Sequence, residues 1–172
     1  MFDFGIRGYQ PRWLNGLRQI TEQHGSRLNS LVGRHLTRAW VVWEMSDDQW
    51  FADCPVVLDF DGEQLEVNHQ KFDHLSITWN SVDVNQSPAW PTSDDFQLAW
   101  RSDVPAEMAA LYGQRLQAVE LLEWAGGDLA DGSVALGFAF PTGWLTTYNA
   151  LDENALAFGP PEPQYRRHHL GP

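Results

Sequence analysis

The sequence predicts an α+β fold, mainly antiparallel β, built as two tandem copies of a short helix plus a four-stranded meander and preceded by an N-terminal helix. Three observations carry that expectation. Shifting the chain by 80 positions lays Arg27–Leu36 over Glu107–Leu116, with apolar positions and one glycine coinciding. After a small change in offset Val56-x-Leu58-x-Phe60 matches Val134-x-Leu136-x-Phe138, each alternating as half-buried strands do. Each of these runs leads into turn-forming residues, Asp61-Gly62 and Pro141-Thr142-Gly143, and then into a second apolar run closed by Asn68 or Asn149.

The elements follow in order. Trp13, Leu14, Leu17 and Ile20 have helical spacing, which predicts a helix over 11–23. Repeat one spans 27–79. A short helix from Arg27 ends at Gly33, a position suited to a left-handed backbone, and strands are expected near 35–44, 55–60, 64–68 and 74–79. Residues 80–103 read as a linker rich in Asn, Ser, Pro and Asp, within which Phe96, Leu98 and Trp100 alternate as an edge strand would. Repeat two, 104–158, opens on a helix start formed by Ser102 or Asp103 with Pro105, passes Gly113, and continues as strands near 115–124, 133–139, 144–149 and 155–158. The tail, 159–172, carries Pro160, Pro161 and Pro163 and is expected to be irregular. Residues 1–172 thus form one domain of two repeats, packed as a sandwich or as one curved sheet.

Composition narrows the function classes. With 43% hydrophobic residues the chain supplies a core, and no run is long and apolar enough to cross a bilayer; a cytoplasmic location and no membrane partner are expected. Cys54 is the only cysteine, so neither an internal disulfide nor a cysteine-based zinc site is available. The net charge of −12 opposes nucleic acid, and the nine tryptophans serve as core filler or as interface anchors. Charge is also uneven. Residues 1–40 hold six arginines against Asp3 and Glu22, whereas 41–162 hold 21 acids against Lys71, Arg101 and Arg115. This pattern places the basic N-terminal arm across an acidic body, its own or that of a second copy, or leaves the acidic face free to dock a cationic partner.

No nucleophile elbow, phosphate-binding loop, dinucleotide fingerprint or zinc-protease motif occurs; this weighs against an enzyme, and no cofactor is expected. The best binding candidates are Asp47, Asp48, Trp50, Phe51 and Asp53, in an acidic loop whose counterpart is the small Ala125-Gly126-Gly127-Asp128, together with Asp152 and Glu153. Trp50 and Phe51 are either exposed anchors or loop residues packed on the body. In the 149–154 loop, Asn149 and Asn154 are read as bonding the turn's own backbone. No metal site is expected; His69, Asp73 and His74 are the weak candidates, and the matching stretch of repeat two, 150–154, has no histidine. Asp59-x-Asp61-Gly62-Glu63 departs from a calcium loop and reads as a hairpin. Cys54 beside Asp53 is a poor nucleophile.

These readings favour a non-catalytic protein-binding module with an acidic surface, neutralising a basic partner as small bacterial immunity proteins and inhibitors do, an analogy of charge and size alone. The alternatives are a small-ligand or metal-dependent enzyme site in the cleft between the repeats, and a structural homodimer.

Overall fold

The computed structural model describes residues 2–171. Its strands are β1 (Trp13–Asn15), β2 (Leu36–Glu44), β3 (Gln49–Trp50), β4 (Val56–Phe60), β5 (Glu63–Gln70), β6 (His74–Trp79), β7 (Leu98–Arg101), β8 (Ala118–Trp124), β9 (Val134–Phe140), β10 (Gly143–Asn149), β11 (Asn154–Phe158) and β12 (Tyr165–His169); its helices are α1 (Leu17–Asn29) and α2 (Ala106–Ala109). The chain is mostly antiparallel sheet with few helices. A seven-stranded sheet runs β1-β6-β5-β4-β2-β3 with β7 also on β2, and a five-stranded sheet runs β11-β10-β9-β8-β12.

The pairing registers of the two meanders correspond. Arg38 opposes Asp59 as Ala118 opposes Ala139, and Phe60 opposes Glu63 as Phe140 opposes Gly143, each 80 residues on. At the last strand Leu65 opposes Trp79 as Leu145 opposes Phe158, so the offset there is 79. The sequence comparison had set Phe60 against Phe138, two residues short of this register. Such a slip keeps every side chain on its face and so leaves the apolar pattern intact. It had also set Asn68 against Asn149, whereas the register sets Asn68 against Tyr148.

The two halves meet at the turns that follow the helices. Gly33 and Gly113 both take positive φ, 91° and 81°, a conformation that costs glycine little. Gly33 N donates to Leu116 O and Gly113 N to Leu36 O, both at 2.8 Å, while Leu36 N reaches Gln114 O and Leu116 N reaches Arg34 O. His35 and Arg115 face each other at the centre of this reciprocal set.

One core lies between the sheets. Val56, Leu58, Phe60, Leu65 and Val67 from the first sheet cluster with Val119, Leu121, Leu136, Phe138 and Leu145 from the second and with Ile20 and Leu28 of α1. The Phe60 and Phe138 rings approach to 5.8 Å between centroids. A second cluster covers the outer face of the first sheet, where Phe4, Ile6 and Tyr9 of the N-terminal arm pack with Val42, Cys54, Val57, Val82 and Leu98. The arm therefore lies on its own body, and through apolar contact more than through its arginines. Buried Glu66 fastens the returning segment by accepting from Ser81 N, Ser81 Oγ and Val82 N.

Several sequence expectations are corrected. The helix expected over 11–23 and the short one from Arg27 are a single helix, α1, because Gly16 at φ 79° separates it from β1, which pairs with β6. Asp103 does not cap α2; it is held by the Arg101 guanidinium at 2.7 and 3.0 Å. The tail is not irregular throughout, since Arg166-Arg167-His168-His169 lies in β12 against β8. Arg167 forks onto buried Glu120 at 2.8 and 2.9 Å and stacks over Trp144. Its place on β8 matches that of β7 on β2.

Truncating the ring at the centre of the shared core, Phe60→Ala, is expected to cost roughly 3–5 kcal/mol of unfolding free energy, read as a lower urea midpoint with an unchanged slope.

Candidate functional site

Asn154 opens β11 and is buried, and its side chain draws three segments together. Nδ2 lies 2.9 Å from Ala52 O, 2.9 Å from Cys54 O and 2.7 Å from Asn68 Oδ1, while Oδ1 accepts from His69 N at 2.8 Å. This is a tertiary role, where the sequence had suggested bonds within its own turn. Asn149 does both: Oδ1 accepts from Asp152 N, and Nδ2 donates to Gln70 O. Asp152, at φ 89°, accepts from Lys71 N.

These bonds bring Asp53 from the first half beside Asp152 and Glu153 from the second. Burial, and then the charges of Glu153 and Asp152, push the Asp53 carboxyl above its ordinary pKa. Among the described residues, none of the three carboxylates has an ion-pair partner.

Beside the acids is a recess of about 190 Å³, walled by Phe2, Phe4 and Trp90 and bordered by Asp53, Gln70 and Asp152, with His69 behind it. The aromatic wall continues as a ladder. Phe2 meets Trp90 at 5.1 Å, Trp90 meets Phe51 at 4.8 Å, and Phe51 meets Phe96 at 5.0 Å between centroids. Its two ends, Phe2 and Phe96, are exposed.

The remaining candidates separate. Trp50 and Phe51 are neighbours with opposite directions: Trp50 packs on the inter-sheet core and Phe51 on the outer cluster, both half-buried, so neither is a free anchor. Asp48 accepts from Trp43 Nε1 at 2.8 Å and lies 3.7 Å from Arg101, a structural use. Asp47 is exposed at the same turn, its N–H taken by Glu44, and stands apart from the acidic trio in its contacts. Strand alternation divides the histidines: His69 shares the core face with Leu65 and Val67, whereas His74 opposes Gln70 and approaches Trp13 on the outer face. His74 Nε2 is 3.8 Å from Asp73, and among the described residues no three His, Cys, Asp or Glu gather as metal ligands. Asp59 and Asp61 belong to a hairpin, where Asp61 and Gly62 have φ 51° and 90° and Asp59 accepts from Gly62 N. Burial, and next Asp53, push the Cys54 thiol far up, which keeps it unreactive.

Sequence reasoning missed Phe2, Phe4 and Trp90, which lie outside both proposed repeats; the alternation of Phe2, Phe4 and Ile6 was the available signal. No protein-family model, curated protein or solved structure matches this chain.

His69 gives this region a pH signature. Burial holds its imidazole neutral and lowers its pKa from 6.5 to about 3, against a smaller opposing effect of a hydrogen bond to the Thr147 backbone. Between those values the unfolded chain takes up a proton that the folded chain refuses. The contribution is complete above the unfolded pKa and is lost as pH falls, by roughly 1 kcal/mol per pH unit. Denaturation between pH 7 and pH 4 should show that slope, and His69→Leu should flatten it.

Proposed function

We propose that the chain is a non-catalytic binding module whose acidic surface accepts a basic protein partner at Asp53, Asp152 and Glu153. The observation that supports this most is the gathering of three carboxylates, without ion-pair partners among the described residues, beside an aromatic ladder with exposed ends. Mutual repulsion raises the energy of such a trio, and a lysine or arginine from a partner relieves it. Exposed aromatics next to the charges supply the desolvated contact that usually dominates binding energy, and the −12 net charge steers a cationic partner inward. Exposed Leu151, in the same loop as Asp152, extends the apolar rim.

We also infer that the chain descends from a doubled module forming one domain. The strand offset of 80, shortened to 79 only at the last strand, the reciprocal hydrogen bonds at Gly33 and Gly113, and the matching places of β7 and β12 support this reading. The proposed docking patch then falls in the segments where the copies differ.

A hexalysine peptide serves as the probe, followed by NMR. Shifts should concentrate on Asp53, Asp152, Glu153 and the Trp90 indole, weaken with salt, and lose about tenfold in affinity in Asp53→Asn/Asp152→Asn/Glu153→Gln, as expected for removing charge-assisted contacts. Equal affinity for the triple variant would mean that the peptide reads only the overall charge, and would reject the patch.

A further inference from the structure

We propose that the cavity between α1, β6 and the N-terminal arm is a binding site for the oxyanion group, phosphate or carboxylate, of a small molecule. The cavity holds about 460 Å³, within the range of small-ligand sites. Its polar lining runs against the character of the whole chain. Arg12, Arg27, His24, Gln10, Gln23 and Thr78 contribute side chains able to donate hydrogen bonds, and no carboxylate is among the described residues that line it, in a protein of net charge −12.

The two guanidiniums are prepared differently. Arg27 is fixed in place, its Cζ 4.4 Å above the Trp79 ring and its Nε and Nη2 held on Glu63, and among the described residues its Nη1 makes no hydrogen bond. Arg12 has no ion-pair partner among the described residues; its backbone N–H donates to Ser76 Oγ, which anchors the residue at the cavity while leaving the head group uncommitted. An arginine fork offers parallel N–H bonds that match the oxygen spacing of phosphate and carboxylate.

His24 lies between these charges. Trp79 Nε1 donates to His24 Nδ1 at 3.3 Å, which places the proton of the neutral ring on Nε2. That Nε2 and Thr78 Oγ1 are both closed to solvent and, among the described residues, without partners. Burial, then Arg27, then Arg12 lower the imidazole pKa, so both guanidiniums act on one ring and their fields converge there. An anion seated between them offsets that field. Glu63, bonded to Arg27, offsets part of that positive field, while exposed acids farther off than about 8 Å are screened by salt at physiological ionic strength. The site is on a different part of the chain from the acidic trio and stands independently of it.

The test follows the His24 ring protons by NMR through a pH titration, first in sodium chloride and then in sodium phosphate or sodium acetate at matched ionic strength. The His24 pKa should rise saturably with inorganic phosphate or with acetate, the tighter of the two identifying the head group. Arg12→Ala should weaken that binding about tenfold, as for loss of one charge-assisted contact, and Arg12→Lys should restore it only in part. Arg18→Ala, which removes an exposed arginine paired with Glu22 on the same helix, should change nothing. A His24 titration identical in chloride, phosphate and acetate would overturn the proposal. So would an anion response of undiminished strength in Arg12→Ala.

Discussion

The reciprocal backbone bonds at Gly33–Leu36 and Gly113–Leu116 are the constraint on which the rest of the structure depends. Each segment supplies donors to the other, so neither can satisfy its own turn alone. A positive φ at both glycines aims the N–H groups across the junction, and the strands that follow, β2 and β8, are thereby started in a fixed relation. Once those two strands are placed, β4-β5-β6 and β9-β10-β11 pair on in turn, β1, β7 and β12 join by pairing distant in sequence, and the inner faces of the sheets oppose each other across Phe60 and Phe138.

That arrangement explains where polar chemistry gathers. The strand faces between the sheets are apolar and leave little room for function, apart from His69 at their margin. The unpaired carboxylates arise in connections that differ between the halves: Asp53 in the segment joining β3 to β4, and Asp152 and Glu153 in the turn from β10 to β11. Asn154 locks these together by bonding to main-chain atoms of Ala52, Cys54 and His69. A buried side chain with that many partners holds exposed neighbours in place without touching a ligand itself. The arginine-lined cavity likewise lies where the N-terminal arm, which neither meander contains, meets α1 and β6. Both surfaces thus involve segments that lie outside the paired strands of the two meanders.

Much of the framework was legible in the sequence because period-two alternation survives errors of register. The expected strands at 35–44, 55–60 and 74–79 lie within a residue of β2, β4 and β6, although the halves had been aligned two residues out in the middle strands. Less legible was anything decided by contacts distant in sequence. Leu14 and Ile20 fit a helical stripe, yet Leu14 reaches the core from β1, since Gly16 interrupts the chain between them. The tail carries prolines and charge, both signs of irregularity, but its Arg167 meets Glu120, 47 residues away, across an open strand edge. At the candidate site, Asp53, Asp152 and Glu153 were individually visible as acids in polar loops. Their proximity was not, because Asn154's partners lie 85 to 102 residues distant.

Amide hydrogen exchange at Gly33, Leu36, Gly113 and Leu116 tests the junction most directly. If the two halves depend on this reciprocal set, all four amides exchange together, at the slow rate of the central strands β4 and β9, through global unfolding. Fast exchange at these four sites while β4 and β9 stay protected would mean that the halves hold together without the junction, and would contradict the account.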